Sequence, residues 1–131
     1  MKKAVAVVRN SDYILVGNVI LDKISEHRAM AILPTEEIKD GEDAKDAAAR
    51  AAAREVGMDF SVMNEIETVV DAQGDEIHYI ECVYDGGAPE PSKDASKDVQ
   101  SIGWVEVYDL EGLNPEAGKV IKAYFDSLRD K

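Results

Sequence analysis

The sequence predicts an α+β protein, an α/β/α sandwich in which helices flank a mixed β-sheet. Strand-like runs of alternating apolar and polar residues occur before and after one alanine-rich helix, and a second amphipathic helix closes the chain. Because such helices and strands bury their apolar sides by packing in layers, we expect the helices to cover the faces of one sheet. The 131 residues contain no internal repeat and no linker-like stretch, so we expect residues 1–131 to form a single domain.

The first part of the chain predicts a hairpin followed by a short strand. Residues 3–9 form a β-branched apolar run, residues 10–12 (Asn-Ser-Asp) are a turn signal, and residues 13–16 are typical of the returning strand. The pattern then predicts a continuation of that strand, a polar loop and a short strand before Pro34, over residues 17–23, 24–28 and 29–33.

The second half of the chain predicts three more strands and a closing helix. The strands are expected over residues 62–70, 77–84 and 101–107. In the first of them the apolar face is formed by Ile66, Thr68 and Val70. A turn over residues 72–76 joins the first two strands, and a loop rich in Gly, Pro and Ser covers residues 85–99. Asn114 followed by Pro115 predicts the start of the last helix. Its core-facing stripe consists of Ala117, Val120, Ile121, Tyr124, Phe125 and Leu128.

The central helix is predicted by its cap, its composition and its stop. Asp43 can accept a hydrogen bond from a free backbone N–H, and Asp46 adds negative charge where the helix dipole favours it. Gly57 is typical of the left-handed residue that ends a helix. Alanine is the best helix former, and its small side chain lets a helix pack closely on a sheet. The apolar stripe consists of Ala44, Ala47, Ala48, Ala51 and Val56.

Composition excludes several classes of protein. The net charge of −12 argues against binding a nucleic-acid polymer, which needs clustered Lys and Arg, although a local basic patch is compatible with a small anionic ligand. No run approaches the roughly 20 apolar residues of a membrane helix, and no secretion signal precedes the first strand. We therefore expect a cytoplasmic protein that binds no membrane, with its lone Cys82 buried as a small hydrophobe. His27 and His78 share no metal-ligand spacing, so we expect structural or surface roles for both.

Residues 33–58, LPTEEIKDGEDAKDAAARAAAREVGM, contain the most specific motif of the chain. They follow the spacing G-x5-E-x7-R-E-U-x-E-E-x-G-U, in which U is aliphatic, and so resemble the signature of the Nudix (MutT-like) family. The matching residues are Glu42, Arg50, Glu55, Gly57 and Met58. The order of elements resembles the same family over nearly the whole chain, including a Gly-Trp-Val strand at residues 103–105. The resemblance implies a hydrolase that uses magnesium to cleave a nucleoside diphosphate linked to another group.

Three departures from this signature change that expectation. Glu36 replaces the first glycine, Ala51 replaces the first helical glutamate and Arg54 replaces the second. Since these glutamates hold the magnesium ions in the family, the resemblance implies a degenerate motif. Positions 51 and 55 lie on the same face of a helix, and a lone Glu55 cannot supply the several oxygens that magnesium requires. Arg54 adds a fixed positive charge that competes with a divalent ion for Glu55.

The resemblance still implies a set of site residues. It gives Glu55 and Arg50 as catalytic residues, and Glu55 and Glu42 as ligands of a weak Mg²⁺ or Mn²⁺ site. The alternative for Glu55 is an ordinary solvated helix residue. Arg50 has two alternatives: a helix-surface pair with Asp46, which stabilises a helix by about 0.3 kcal/mol, or a strut retained from the family arginine that orients the acids.

Two loops supply further candidates. Pro34, Thr35 and Glu36 stand where the family usually has Pro-Gly-Gly. Because neither Thr nor Glu tolerates positive φ as glycine does, this loop must bend differently. Glu36 and Glu37 either supply replacement oxygens for a metal or form an exposed acidic turn. A catalytic base from the long loop would be one of three acids, for which solvated loop charge is the alternative: Glu90, Asp94 and Asp98.

Two functions follow from these residues. The first is a module that binds a nucleotide-like ligand or a protein between the central helix and the long loop, with little or no hydrolase activity. The second is a divalent-metal-dependent hydrolase whose metal is held by Glu55, Glu42 and loop acids. Losing a metal ligand removes part of a Lewis-acid effect of several kcal/mol, and about 1.4 kcal/mol changes a rate tenfold, so we favour the first function. A homodimer is compatible with both, since many Nudix proteins pair.

Overall fold

A computed structural model describes residues 1–20, 29–56, 60–85 and 101–129. The elements are, in chain order, β1 (Lys2–Asn10), β2 (Tyr13–Ile20), β3 (Ala29–Ile32), β4 (Thr35–Glu37), α1 (Ala44–Val56), β5 (Phe60–Val70), β6 (Glu76–Tyr84), β7 (Ser101–Glu106), a 3-10 turn (Val107–Asp109), α2 (Leu110–Leu113) and α3 (Pro115–Arg129). The predicted polar loop at 24–28, the predicted helix stop at Gly57 with Met58, and the predicted long loop after Asp85 lie outside the described residues.

The described strands form one mixed sheet, with the order β3-β2-β1-β6-β5 along its main path. β1 and β6 run parallel in a register that pairs Lys2 with Glu76 and Arg9 with Val83. The remaining pairings are antiparallel: β1 with β2, β2 with β3, and β5 with β6. β4 pairs with the first half of β1, and β7 pairs with β2. This arrangement confirms the predicted α+β class with a mixed sheet.

The alternation of residues along β1 divides the core into two layers. Ala4, Ala6 and Val8 pack on the α1 side of the sheet, while Val5 and Val7 pack on the α3 side. The first layer receives four fully buried alanines of α1, Ala47, Ala48, Ala51 and Ala52. The second layer receives Ala117, Ile121 and Phe125 of α3. Helices therefore cover both faces, as predicted. None of the described helices is both long and apolar enough to cross a membrane.

The predicted alternation within β5 is wrong. Ile66 and Val69, which are three residues apart, both pack on the α3 side, and Val70 is 69% exposed. The reason is a register shift in the pairing of β5 with β6 between Glu65 and Glu67, following an earlier shift after Val62. An extra residue at such an irregularity interrupts the alternation of the side chains that follow.

The predicted stripe of α3 is wrong at its last member. Leu128 is 40% exposed, whereas Ile121 and Phe125 are buried. Leu128 contributes to the wall of an open cavity of about 220 Å³ beside the β1–β2 turn, together with Ser11 and Asp12. The last turn of α3 therefore borders this cavity instead of closing the core.

A buried ion pair on the α3 side was not identified from the sequence. Glu81 is only 3% exposed, and the Nε of Arg9 donates to its Oε2 at 2.6 Å. The Tyr124 hydroxyl donates to Glu81 Oε1 at 2.9 Å. The pKa of Tyr124 is raised, mainly by burial and to a lesser extent by the bond to this carboxylate. The Arg9 guanidinium also lies 5.8 Å from the centre of the Phe125 ring. The ion pair therefore joins β1 to β6, and the Tyr124 hydroxyl joins α3 to the same carboxylate.

α2 and α3 meet at Gly118, which leaves no room for a side chain. A Cβ at this position would lie 2.3 Å from Glu111 Cα and 2.5 Å from Glu111 N. We expect Gly118→Ala to lower the free energy of unfolding by about 1–3 kcal/mol, because backbone must move to relieve the overlap.

Urea denaturation of three proteins tests this expectation, with Gly112→Ala in α2 as the matched control. A Cβ at Gly112 meets nothing within 4 Å, so that variant should be as stable as the wild type or more stable by about 0.5 kcal/mol. Equal midpoints for the two alanine variants would contradict the close approach at Gly118.

Candidate functional site

α1 begins at the predicted cap. The Asp43 carbonyl accepts the N–H of Asp46 at 3.1 Å, and Asp43 Oδ1 accepts the N–H of Lys45 at 3.1 Å. Gly41, two residues before the cap, has φ of +78°, a conformation that glycine adopts without strain. The turn and the cap together fix where the helix starts, and hence which of its side chains face the segment that precedes it.

Arg54 of α1 binds Glu36, so two of the three departures from the Nudix signature contact each other. Arg54 Nη1 lies 2.8 Å from Glu36 Oε1, and Nη2 donates to the Thr35 carbonyl at 3.1 Å. The Arg54 and Glu36 side chains are 29% and 27% exposed. A charge-assisted bond of this kind is stronger than one between neutral groups. The carboxylate that replaces a glycine therefore neutralises the cation that replaces a glutamate.

The segment that carries Glu36 was predicted to be a loop, and this prediction is wrong. Residues 35–37 form β4, which pairs Glu37 with Lys3, Glu36 with Ala4 and Thr35 with Val5. A strand has extended backbone, so none of these residues needs the positive φ that the family's glycines permit. The segment thus differs from a Pro-Gly-Gly loop, as expected, but Glu36 is partly buried and is not part of an exposed acidic turn.

Arg50 binds Glu42 and the backbone of β4. Its Nη1 donates to Glu42 Oε2, its Nη2 donates to the Glu37 carbonyl at 2.9 Å, and its Nε lies 3.8 Å from Glu36 Oε1. Among the contacts that the structure describes, Arg50 therefore pairs with Glu42 and not with Asp46. We call Arg50, Arg54, Glu36 and Glu42 the arginine cluster.

Glu42 uses both carboxylate oxygens within this cluster. Its Oε1 accepts the backbone N–H of Lys39 at 3.0 Å while Oε2 accepts from Arg50. The Lys39 N–H, assisted by the Arg50 guanidinium, lowers the pKa of Glu42 below its ordinary value, and partial desolvation opposes this effect. Glu42 is consequently held in its ionised form.

The described residues do not form a metal-binding group. Ala51 is fully buried in the layer between α1 and the sheet. No three His, Cys, Asp or Glu side chains converge within the described part of the chain, and Glu36 and Glu42 already bind arginines. The donors present there do not fit a hard divalent cation. Glu55 lies in the last turn of α1, its side chain is outside the described set, and so are the other predicted candidates, His27, Glu90, Asp94 and Asp98.

His78 has a structural position, as predicted. Its Nδ1 lies 2.6 Å from Glu65 Oε1, and its Nε2 lies 2.9 Å from Glu76 Oε1. Because Glu65 is on β5 while the other two residues are on β6, the imidazole links the two strands. Cys82 is buried, also as predicted, and burial raises the pKa of its thiol to about 12.

Comparison with known protein families identifies the family of this chain. A family model described as the NUDIX domain matches residues 1–124. The chain belongs to the Nudix family. The match confirms the resemblance to this family, which was drawn from residues 33–58 and from the order of elements over nearly the whole chain. No curated protein sequence matches the chain at a significant level of similarity.

Solved structures similar to this one are Nudix proteins as well. An Ap4A hydrolase from C. elegans shares 16% identity over 98% of this chain and 99% of its own, with a TM-score of 0.75. A MutT protein from Methanosarcina mazei Go1 shares 14% identity over 100% and 96%, with a TM-score of 0.70. An ADP-ribose pyrophosphatase from Streptococcus suis 89-1591 shares 17% identity over 98% and 91%, with a TM-score of 0.69. At these identities the likeness shows the Nudix fold alone.

The contact between Glu36 and Arg54 was missed because each Nudix departure was interpreted separately. A glycine replaced by an acid and an acid replaced by a base are complementary, and this joint change of charge is visible in the sequence. The sequence also contains an indication of the Arg9–Glu81 pair. Glu81 lies between Ile80 and Cys82 in an apolar strand pattern, where a charged residue requires a partner.

We expect the stability that Glu42 contributes to depend on pH. Because the folded-state pKa of Glu42 is lowered, its contribution is fully present above the unfolded value of 4.5 and is lost as the pH falls through the lower folded value. The melting temperature of Glu42→Gln should lie below that of the wild type above pH 5, and the two should converge as the pH falls below about 4.5.

Thermal unfolding followed by circular dichroism between pH 3 and pH 7 provides this measurement. Glu106→Gln makes the same change of net charge at an exposed position of β7 outside the arginine cluster, and serves as the control. A Glu42→Gln difference that stays constant across the whole range would contradict the assigned cause.

Proposed function

We propose that this Nudix protein binds a nucleotide-like ligand and has little or no pyrophosphohydrolase activity. The contact between Arg54 and Glu36 is the single observation that carries this proposal. At the position of a magnesium-binding glutamate stands a guanidinium, and the nearest acid of β4 is already bound to it at 2.8 Å. The arginine cluster thus contains fixed cations where the signature places divalent ions.

The charges of the arginine cluster support this proposal. Guanidinium groups remain protonated at any physiological pH, so Arg50 and Arg54 keep their charge. A divalent ion that approached Glu36 or Glu42 would have to displace these cations and overcome their repulsion. Each carboxylate would also lose a hydrogen bond that is already formed. A weak metal site, if it forms through Glu55, therefore receives no help from the described acids.

A cavity beside the arginine cluster offers space for the ligand. It has a volume of about 340 Å³, and its wall includes Lys2, Lys39, Gly41 and Glu42. Its wall holds two lysines and three acids, because Glu37 and Asp40 line it as well, and the charge of Glu42 is compensated by Arg50. The two lysines therefore balance the remaining two acids. Ammonium groups bind phosphate oxygens as point charges. We assign the phosphate end of the ligand to this cavity.

We further propose that the protein is cytoplasmic and that it forms a homodimer.

The similar structures favour the second candidate, a divalent-metal-dependent hydrolase. One is an Ap4A hydrolase and another is an ADP-ribose pyrophosphatase. In this alternative, Glu55, Glu42 and acids of the long loop hold Mg²⁺ or Mn²⁺. When bound, the ion would act as a Lewis acid and generate a nucleophile from water. The chain would have to release Glu42 from Arg50 to supply that ligand.

A metal titration tests whether the arginine cluster replaces the metal. By isothermal titration with Mn²⁺, the wild type should show no site in the low millimolar range or tighter. The double variant Glu36→Gly/Arg54→Glu carries the family residues at both positions, and we expect its Mn²⁺ affinity to rise by about tenfold, equivalent to about 1.4 kcal/mol.

Glu55→Gln in both backgrounds is the control for this titration. It should abolish the gain in the double variant and leave the wild type unchanged. A low-millimolar or tighter Mn²⁺ site in the wild type that Glu55→Gln removes would contradict the proposal that this protein has lost its metal site.

A ligand screen tests the binding function directly. In a thermal-shift assay, ADP, ADP-ribose or Ap4A should raise the melting temperature of the protein equally with and without Mg²⁺. An assay for released phosphate or nucleoside monophosphate should detect no product. Lys39→Ala should reduce the shift, because it removes the ammonium but retains the backbone N–H that binds Glu42.

The matched control for Lys39→Ala is Lys45→Ala. Lys45 is exposed on α1 outside the cavity, and its loss changes the net charge equally. Equal effects of both variants would assign the shift to general attraction. Metal-dependent turnover by the wild type would overturn the binding proposal and establish the hydrolase.

A further inference from the structure

We propose that the cavity beside the β1–β2 turn binds an α-amino acid with an apolar side chain, whose carboxylate is held by Arg9. The cavity has a volume of about 220 Å³ and is lined by residues of the turn and of α3: Arg9, Ser11, Asp12, Phe125 and Leu128. It shares no lining residue with the cavity beside the arginine cluster. Arg9 and Lys2 are seven residues apart on β1, so the two cavities are about 23 Å apart along the strand. The inference therefore goes beyond the nucleotide function and does not depend on it.

Arg9 offers a fixed pair of N–H groups to this cavity. Its Nε donates to Oε2 of Glu81 at 2.6 Å, and its guanidinium lies 5.8 Å from the centre of the Phe125 ring. Neither Nη1 nor Nη2 bonds to another described residue, and both remain accessible on a side chain that is 27% exposed. The edge of a guanidinium that carries its two Nη atoms binds a carboxylate through two parallel hydrogen bonds. Arg9 is therefore positioned to bind a carboxylate.

The buried Glu81 is a separate indication that Arg9 has a role in binding. Glu81 is 3% exposed, and its second oxygen accepts the Tyr124 hydroxyl, so both of its oxygens are used within the protein. A buried ion pair contributes little net stability compared with apolar residues of similar volume, because desolvation of the two charges offsets their attraction. A ligand-binding side chain, in contrast, needs a buried partner that fixes its orientation. We therefore assign Glu81 the role of positioning Arg9.

The charges around the cavity favour a zwitterion over a simple anion. Glu81 compensates the charge of Arg9, Asp12 adds a carboxylate to the wall, and the whole chain has a net charge of −12. A simple carboxylate would be repelled by this negative potential. An amino acid has no net charge at pH 7, because its ammonium group is protonated while its carboxylate is ionised. Its ammonium group can donate to Asp12 while its carboxylate binds Arg9.

The rest of the wall suits a small apolar side chain. Phe125 and Leu128 form its apolar part, and Leu128 is 40% exposed. Ser11 has φ of +57°, a left-handed conformation that glycine adopts with less strain, and it supplies a hydroxyl to the wall that glycine would lack. Sites for drug-sized ligands have volumes of roughly 300–1,000 Å³, so this smaller cavity matches a smaller ligand.

A titration with L-leucine and three analogues tests the proposal. Chemical shifts of the ¹⁵N-labelled full chain are followed at pH 7 and at constant ionic strength. L-leucine should shift the amides of Asp12 and Leu128 with a millimolar Kd. L-leucinamide lacks the carboxylate, 4-methylpentanoate lacks the ammonium group and glycine lacks the apolar group. Each of these three should bind about tenfold more weakly, equivalent to about 1.4 kcal/mol.

Matched variants locate the two polar contacts. Arg9→Lys keeps a positive charge beside Glu81 but removes the paired N–H groups, so it should weaken L-leucine about tenfold and leave L-leucinamide unchanged. Asp12→Asn should weaken L-leucine and should not weaken 4-methylpentanoate. Asp109→Asn makes the same charge change at an exposed position outside the cavity, and should leave the Kd of L-leucine within about twofold.

Glu81→Gln tests the positioning role. It should weaken L-leucine by a smaller factor than Arg9→Lys and leave L-leucinamide unchanged, whereas a general loss of structure would affect both probes. Melting temperatures without ligand check that each variant is folded. The comparison of the four probes on the wild type needs no variant.

Three results would overturn the inference. Equal Kd values for L-leucine and L-leucinamide would show that the carboxylate is not recognised. Equal weakening by Asp12→Asn and Asp109→Asn would assign the binding to the net charge of the whole surface. The absence of saturable shifts at Asp12 and Leu128 would show that the cavity binds no amino acid. All three are distinguishable from failure of the nucleotide proposal, since no probe contains phosphate and no variant alters the arginine cluster.

Discussion

The bond between the Arg54 guanidinium and the Glu36 carboxylate joins α1 to β4. Through it, and through the contact of Arg50 with the Glu37 carbonyl, two successive turns of α1 bind a strand of only three residues. That strand in turn pairs with β1, the central element of both core layers. Thr35 lines a cavity at the start of α3 and Glu37 lines the cavity beside the arginine cluster, so the attached strand contributes to the walls of both cavities.

A guanidinium can replace a metal ion as a structural link, but it cannot replace the ion chemically. Arginine joins β4 and α1 by directional N–H bonds, as an ion would by coordinating oxygens from both. It offers no open coordination position, and it does not bring water to the low pKa that a bound divalent ion produces. Under the proposed function, the exchange of one for the other retains the architecture while the hydrolytic chemistry weakens. The Nudix fold of this protein and its altered motif are therefore compatible.

Local signals predicted most of the architecture, while the contacts that define the site are distant in sequence. The cap at Asp43 and the start of α3 at Asn114 follow from neighbouring residues, and both were predicted from the chain. By contrast, Arg54 contacts Glu36 across 18 positions, and Arg9 contacts Glu81 across 72. Periodicity contains no information about such pairs, because it specifies only which face a side chain occupies. The register shift in β5 was missed for a related reason, since an inserted residue is defined only by its partner strand.

The three departures from the signature differ in how readily they could be reversed. Glu36 and Arg54 are partly exposed and compensate each other, so exchanging both for the family residues removes the ion pair and adds one new carboxylate at position 54. Ala51 is fully buried against the sheet, where a glutamate would place a carboxylate in an apolar layer. A buried charge without a partner is strongly unfavourable unless the helix moves outward. Within the proposed function, the alanine-rich packing of α1 is thus the deeper constraint, because it opposes a carboxylate at position 51 by burial, whereas the partly exposed arginine cluster opposes a metal only by charge.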